Sequence, residues 1–372
     1  MRQIFGSNEL LEDVLQKGLC IGCGACVELC PYFRNYRGKT AMLFPCTLSQ
    51  GRCHAYCPKA EVDLDALSND MWGKPYDPGP LGNYREIVKA QAGAAMEKRA
   101  FQAGGTVSSL MTFALKTGLI DVAVLTDQED MIAVPRLVTH AEEVVQCAAS
   151  KFVAAPTLSA LNRAIKDGYE RIGVVGTPCQ VTAIAQMRQN PLDREDFRDP
   201  VALVVGLFCT WALDTRLLID FLSRRVNISR IRRMDIPPPP AEILVVETEG
   251  ERLEISLEEI RPLVPKACQI CPDMTSEWAD VSVGVMEGEP GWNTLIVRSE
   301  TGANLVRDAV RAGYLVTEEM PETSLEHLRF AASNKKKRAL TRAGEEGVLN
   351  CEEDGKRSAL RVRAEVVDEI VA

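Results

Sequence analysis

Four closely spaced cysteines near the N-terminus constrain this chain more than any other feature. Residues 20–31 read CIGCGACVELCP, so Cys20, Cys23, Cys26 and Cys30 form a C-x2-C-x2-C-x3-C-P run. This spacing lets three thiolates converge on one iron–sulfur cluster, while the fourth cysteine points elsewhere. Zinc ribbons pair two C-x2-C knuckles and lack the C-P ending. The run therefore predicts iron–sulfur binding.

A second run, formed by Cys46, Cys53 and Cys57, keeps the C-x3-C-P ending but has a different spacing before it. In two-cluster ferredoxins the last cysteine of each run ligates the other cluster. The groups expected from this rule are Cys20, Cys23, Cys26 and Cys57 on one cluster, and Cys30, Cys46 and Cys53 on a second. The second group lacks one thiolate, because Gln50 stands where a middle cysteine would fall. A three-iron cluster, a water or side-chain ligand, and a ligand supplied by a partner are all open.

Composition and charge narrow the classes of protein. The chain has 372 residues, 46% hydrophobic and 26% charged, which is typical of a globular protein with roughly two to three domains. The formal net charge of −9 provides no basic field for nucleic acid or an anionic membrane. No signal peptide or bilayer-spanning segment is visible, so we expect a cytoplasmic protein. In a reducing compartment, 13 cysteines favour metal or redox centres over disulfides.

Four later cysteines form another candidate site. From about residue 98 apolar runs alternate with helical patterns, which predicts α/β layering. Residues 171–176 read as a buried strand, Thr177 as a helix N-cap and Pro178 as the first helical residue. The first turn of a helix favours an anionic thiolate. The cysteines concerned are Cys179 in that turn, Cys209 at the end of the next apolar run, and the C-x2-C pair Cys268 and Cys271. Four thiolates suit a 4Fe-4S cluster, with a tetrahedral zinc site as the alternative.

The rest of the sequence indicates how the chain is divided into domains and connecting segments. We predict a ferredoxin-like module at residues 1–80, a mixed α/β domain at 81–320 and a charged helical tail at 321–372. The Pro/Gly-rich stretch at 72–82 reads as a linker, and residues 242–257 read as a hairpin after a proline run. The NKKKR segment in the tail reads as part of a surface helix. Patterns typical of hydrolases are not visible.

Five ordered motifs carry a resemblance to a known family. They are GTPCQ (176–180), GLFC (206–209), KACQIC (266–271), ADVSVG (279–284) and GWNTLIVR (291–298). Together with the N-terminal cysteine run, they resemble the beta subunits of coenzyme F420-reducing hydrogenase and formate dehydrogenase. The resemblance extends to about residue 315 and leaves out the tail.

The resemblance implies cofactors and the residues that bind them. It implies FAD, and a 4Fe-4S cluster on the four later cysteines in place of zinc, for two to three clusters in total. It places the flavin near QAGGTVSS (102–109) and ASKF (149–152). The candidate flavin residues are Gly104, Gly105, Thr106, Ser108, Ser150, Lys151, Gly176 and Thr177. Glycines before a helix allow a phosphate or ring edge to approach the backbone.

The resemblance also implies a function. Hydride would pass between a deazaflavin coenzyme (F420) and FAD, and single electrons would pass through the clusters to a partner subunit of hydrogenase, formate dehydrogenase or heterodisulfide reductase type. One alternative is a reductase of the same fold linked to NAD(P)H or ferredoxin, although no GxGxxG follows a strand. Another is an electron-transfer adaptor without a carrier site.

Overall fold

The computed structural model describes residues 3–96, 101–190, 192, 199–237, 241–352 and 355–372. In this part of the chain, strands and helices form the mixed α/β fold that the sequence predicts. The strands are β1 (Phe33–Tyr36), β2 (Lys39–Met42), β3 (Val62–Asp63), β4 (Glu86–Ala92), β5 (Val122–Glu129), β6 (Ile132–Val138), β7 (Ile172–Gly176), β8 (Val201–Leu207), β9 (Ile231–Asp235), β10 (Ile243–Thr248), β11 (Arg252–Ser256), β12 (Val281–Val285), β13 (Asn293–Val297), β14 (Leu315–Glu319), β15 (Leu349–Asn350) and β16 (Leu360–Arg361).

The helices are short in the first half of the chain and longest in the tail. They are α1 (Ser7–Leu10), α2 (Arg52–Ala55), α3 (Leu64–Trp72), α4 (Thr106–Lys116), α5 (Thr157–Lys166), α6 (Pro178–Gln189), α7 (Thr215–Ser223), α8 (Leu257–Ile260), α9 (Lys266–Gln269), α10 (Glu300–Arg311), α11 (Glu322–Glu345) and α12 (Ala364–Val371). A π-helical turn (Leu11–Leu15) and 3-10 turns (Ala141–Cys147, Ile228–Arg230 and Arg261–Leu263) complete the helical structure of the described residues. None of the helices described is long and apolar enough to cross a membrane.

A mixed sheet forms the centre of the molecule, with its described strands in the order β14-β4-β13-β12-β8-β7-β5-β6. The strands β12, β8, β7 and β5 are parallel, and antiparallel strands flank them on both sides. All five residues of β7 are buried, as expected for a parallel strand covered on both faces. The carboxyl ends of the parallel strands therefore meet at one edge of the sheet, where α/β folds bind ligands.

Alternate residues of the parallel strands enter two different cores. Val122 and Val124 of β5 pack with α5 and α6 on one face, whereas Ala123 and Leu125 pack with α4 and α10 on the other. This period of two follows from the alternation of side chains along a strand.

The N-terminal cysteine run packs against α5. The backbone N–H of Leu158 donates to the carbonyl of Cys23 at 3.1 Å, and the Asn162 amide donates to two further carbonyls of the run. Gly24 has a φ of +88°, and a Cβ there would lie 2.5 Å from the Pro156 carbonyl oxygen. This contact requires glycine, because both the backbone conformation and the space exclude a side chain.

Two sequence predictions about the connecting segments are confirmed. The α3 helix ends at Trp72, and no regular helix occurs in the linker that follows. The strands β10 and β11 pair as an antiparallel hairpin, and β9 joins them in a small separate sheet. Of the proline run before the hairpin, residues 238–240 lie outside the described part of the chain.

The tail returns to the N-terminal module. The strand β16 pairs in parallel with β3, and β15 pairs in parallel with β16, so that residues 349–361 extend a sheet that begins at residue 62. The prediction that NKKKR lies on the surface of a helix is wrong for two of its lysines, since Lys335 and Lys336 are only 3% and 1% exposed. They lie on a buried stripe of α11 with apolar residues at helical spacing. The domain boundaries at about 80 and 320 stay predictions.

Candidate functional site

The first group of thiols lines a single cavity in the N-terminal module. Its members are Cys20, Cys23, Cys26 and Cys57. Gly22 turns the chain between the first two at a φ of +71°, and a Cβ there would collide with the carbonyl oxygen of Gly38. The short glycine-containing loops thus bring together the four cysteines that the spacing assigns to one cluster. Their role as iron ligands stays a prediction.

Burial controls the protonation of these thiols. It raises the pKa of Cys23 and Cys26 well above the usual value, and neighbouring thiols raise the pKa further. A low-polarity environment disfavours the charged thiolate. A metal or cluster that binds here must therefore displace protons from the thiols.

The second group consists of Cys30, Cys46 and Cys53, one thiolate fewer than a 4Fe-4S cluster requires. Burial raises the pKa of Cys53 to about 11, and the nearby Cys30 and Cys46 raise it too. Gln50, at the position of the missing cysteine, is exposed. His54 is fully buried, and its Nδ1 accepts the backbone N–H of Phe5 at 3.5 Å.

The third group is assembled by the central sheet. The strand β7 ends at Gly176, Thr177 occupies the N-cap and Pro178 begins α6, as the sequence predicts. Cys179 therefore lies in the first turn of α6, and Cys209 follows the neighbouring parallel strand β8 by two residues. Both cysteines are at the carboxyl edge of the sheet, where α9 and the residues after it bring two more cysteines.

The four later thiols act on one another electrostatically. Burial raises the pKa of Cys179 to about 11, and Cys271 and Cys268 also raise it. Burial raises the pKa of Cys209 further still; Lys335 lowers it, and the other three thiols raise it. This donor set of four converging cysteines fits a 4Fe-4S cluster. Within the described residues, no three His, Cys, Asp or Glu side chains close around a single metal ion.

The three groups follow one another through the molecule. Cys179 of the third group acts on Cys23 of the first, and Cys53 of the second group acts on Cys26 of the first. Residues 58 and 59 line the cavity of the first group and also a cavity that Cys179 and Cys271 line. The first group therefore lies between the other two.

The residues that the resemblance assigns to FAD lie along the carboxyl edge of the central sheet. A Cβ on Gly104 would lie 2.7 Å from Oδ1 of Asn293 in β13 and 2.8 Å from the carbonyl oxygen of Ala90 in β4. Gly176 ends β7 at the same edge, four strand positions from β4. At about 4.8 Å per strand, the two ends of this row are roughly 19 Å apart.

The segment at 150–157 connects the two ends of the row. The backbone N–H of Ser150 donates to the side chain of Gln102 at 2.7 Å. At the other end, the Gln180 amide donates to the carbonyl of Ala155 at 2.9 Å. The structure thus brings the three candidate segments to one edge, and their contact with FAD stays a prediction.

Several candidate flavin residues already have partners within the protein. The Lys151 ammonium donates to the carbonyls of Cys147, Ala148 and Ala149 at 2.8, 2.8 and 2.9 Å, and burial lowers its pKa. The hydroxyl of Thr106 donates to the carbonyl of Ala90 at 3.1 Å, and Ser108 is buried in α4. Gly105 begins α4 from a φ of +76°.

Sequence reasoning missed two buried lysines at the thiol groups. Lys59 is 6% exposed and lines both cavities, and Lys335 contacts the backbone of Cys209. A signal for Lys335 was present, because Ala332, Lys336 and Ala339 share its face at helical spacing. The pattern was missed because Lys335 and Lys336 belong to a run of charged residues, which was interpreted as exposed.

Three family models match this chain. The family model for the N-terminal part of the coenzyme F420 hydrogenase/dehydrogenase beta subunit matches residues 87–162, and that for the C terminus matches residues 169–323. A 4Fe-4S binding domain matches residues 14–32.

Relatives and a solved structure span most of the chain. A coenzyme F420 hydrogenase beta subunit from Methanococcus voltae is 31% identical over 65% of this chain and 87% of its own length. An uncharacterised protein of Methanocaldococcus jannaschii is 28% identical over 91% of this chain and 99% of its own. A chain of the F420-reducing [NiFe] hydrogenase complex from Methanosarcina barkeri matches with a TM-score of 0.67 and 25% identity, over 72% of this chain and 94% of that one. The chain therefore belongs to the coenzyme F420 hydrogenase/dehydrogenase beta subunit family, a family of iron–sulfur oxidoreductases that includes subunits of hydrogenase and formate dehydrogenase.

Proposed function

We propose that this chain is an iron–sulfur flavoprotein subunit that exchanges hydride between a deazaflavin coenzyme and FAD and relays single electrons to a partner subunit. The observation that carries the proposal is the order of the sites. The sheet edge with the candidate flavin residues also carries Cys179 and Cys209, and the two N-terminal thiol groups follow. Related chains are named as subunits of F420 hydrogenase and formate dehydrogenase.

The cysteines would hold the clusters in three places. The third group would hold a 4Fe-4S cluster, the first group another, and the second group a 3Fe-4S or atypically ligated cluster. When bound, FAD and the clusters would convert a two-electron hydride into single electrons and pass them on.

The protein would position these sites close together and exclude water from them. Cys23 and Cys179 belong to neighbouring groups, and the thiolate of Cys179 raises the pKa of Cys23. Pro58 and Lys59 line the cavities of both groups, so the path between them is short. Burial of the sulfurs excludes water, which also affects cluster potentials.

The partner would receive electrons at the second thiol group. Cys46 of that group lies in a loop with exposed apolar side chains: Leu43, Phe44 and Leu48 are 53%, 59% and 67% exposed. A cluster of exposed apolar residues is typical of an interaction surface. A redox subunit covering this loop would come close to the outermost cluster.

A specific observation favours one alternative, an electron-transfer adaptor without FAD. Lys151 and Thr106 already have hydrogen-bond partners within the protein. Gly104 is explained by its close contact with Asn293 and Ala90. These features do not by themselves require a ligand.

Cofactor analysis tests both. Anaerobically purified protein should contain FAD and iron for about three clusters, without stoichiometric zinc. The bound flavin should bleach faster with reduced deazaflavin than with NADH at equal concentration. The opposite order would favour an NAD(P)H-linked reductase. Clusters without flavin would favour the adaptor, and flavin-free protein with stoichiometric zinc would refute the proposal.

A further inference from the structure

The long helix α11 places a buried ammonium group behind the third thiol group. Nζ of Lys335 donates to the carbonyl oxygens of Cys209 at 2.5 Å and Asp273 at 2.7 Å. Lys335 is only 3% exposed. Two carbonyls satisfy part of the hydrogen-bonding capacity of the ammonium but supply no full negative charge. The lysine is therefore held in place next to a cysteine of the site.

The next residue shows how a buried lysine in this helix is otherwise neutralised. Lys336 forms an ion pair with Glu277 at 2.9 Å, and both side chains are almost fully buried. No carboxylate among the described residues lies within ion-pair distance of Lys335. The acidic side chain that faces it is Asp273, whose oxygens accept the backbone N–H groups of Thr275 and Glu277. The positive charge of Lys335 is therefore not neutralised by an ion pair and can act on the thiol group.

A second buried lysine approaches the same thiols from the N-terminal module. Lys59 lines both cavities and acts electrostatically on Cys179 and Cys268. Lys59 and Lys335 both lie outside the ranges 14–32, 87–162 and 169–323 that the family models match. The two positive charges are therefore supplied by segments that flank the matched domains.

We infer that Lys335 raises the reduction potential of the cluster held by Cys179, Cys209, Cys268 and Cys271, through the positive charge that it places behind Cys209. This inference rests on the proposed function, because it requires a cluster at that site. Lys335 is a positioning and tuning residue, since its ammonium contacts the backbone of a ligand and not the cluster itself.

The physical reason is the charge that reduction adds. A one-electron reduction makes the site more negative by one unit; no bond is formed or broken, and the electron comes from the flavin or from the neighbouring cluster. A fixed positive charge in a buried environment stabilises the more negative state. An opposite charge within a few ångströms changes a proton equilibrium by tenfold or more, and an electron equilibrium responds in the same way.

Redox titration of the whole protein, followed by low-temperature EPR, tests the inference. Cys179→Ser first identifies the signal of the third-group cluster by its loss. Lys335→Met should then lower the equilibrium constant for reduction of this cluster about tenfold, which corresponds to about 59 mV for one electron. Lys335→Arg should restore it, because the charge is retained. Lys337→Met is the matched control, since Lys337 is exposed on the same helix and its removal should leave the potential unchanged.

The outcomes separate the inference from the function on which it rests. An intact cluster with an unchanged potential in Lys335→Met would overturn the inference and leave the proposed function standing. A wild-type protein with no signal that depends on Cys179 would refute the proposed function, and the inference with it. If Lys335→Met does not assemble the cluster, Lys335→Gln retains an amide donor for one of the carbonyls, and the same tenfold change is expected from it. An unchanged potential in Lys335→Gln would overturn the inference as well.

Discussion

The two cysteine regions of this molecule are built in opposite ways. In the N-terminal region, Cys20, Cys23 and Cys26 are separated by two residues each, and short loops bring them to one cavity. In the later region, Cys179 and Cys209 are far apart in sequence and come together because the parallel strands β7 and β8 end at the same edge of the sheet. The first site depends on local backbone turns, whereas the second depends on the whole fold.

This difference predicts how each site should fail. A change in a single turn should affect the N-terminal site first, whereas a change in a ligand of the later site should leave the N-terminal site intact. Three substitutions test this separation, in order of decreasing effect.

Loss of a later ligand should have the largest effect. Cys179→Ser should remove the third-group cluster and about a third of the total iron, because a hydroxyl replaces a thiolate ligand. The N-terminal clusters should keep their EPR signals. Cys351→Ser is the control, since Cys351 is exposed and belongs to none of the three groups. Unchanged iron and spectra in Cys179→Ser would show that this residue is not a ligand.

A turn in the N-terminal region should be the next most sensitive position. Gly24→Ala would place a Cβ 2.5 Å from the Pro156 carbonyl oxygen at a φ of +88°. We expect the free energy of unfolding to fall by about 3 kcal/mol, together with a loss of N-terminal iron. Anaerobic thermal denaturation and iron analysis provide the measurements.

Gly18→Ala separates strain from collision in that experiment. Gly18 has a φ of +71°, but a Cβ there would meet nothing within 4 Å. Its substitution should cost only about 1 kcal/mol from backbone strain. Equal losses in both variants would mean that packing against Pro156 does not hold the module in place.

The smallest effect is expected at the helix start of the later site. The Thr177 hydroxyl donates to Oε1 of Gln180 at 3.2 Å and lies 3.4 Å from the sulfur of Cys179. Thr177→Ala should lower the free energy of unfolding by about 1 kcal/mol, and Thr177→Ser should restore it. Thermal denaturation of the three proteins makes this comparison. A failure of the serine variant to restore stability would assign the effect to the methyl group.

Local patterns predicted the parts of the fold that depend on neighbouring residues. The start of α6 at Pro178 follows from the order strand, N-cap threonine and proline, and the β10–β11 hairpin follows from two apolar runs around a turn. The convergence of the thiols into groups was anticipated from cysteine spacing and from the family resemblance. These predictions rest on short-range signals or on motifs that resemble those of a known family.

The parts that local patterns did not predict depend on contacts between distant segments. The burial of Lys335 and Lys336 follows from the docking of α11 on residues near Cys209 and Glu277, more than 50 residues earlier in the chain. The pairing of β15 with β16, and of β16 with β3, involves strands of only two residues, which have no detectable period of their own. Long-range pairing of this kind leaves little trace in a local pattern.

The β3–β16 pairing also determines when the cavity beside Cys179 is completed during synthesis. Ala359 and Leu360, next to and within β16, help to line the cavity beside Cys179. On the ribosome, this wall is missing until residue 360 has emerged, well after Cys179. Delivery of iron and sulfide to Cys179 before that point would therefore meet an open cavity, which residues 359 and 360 then close.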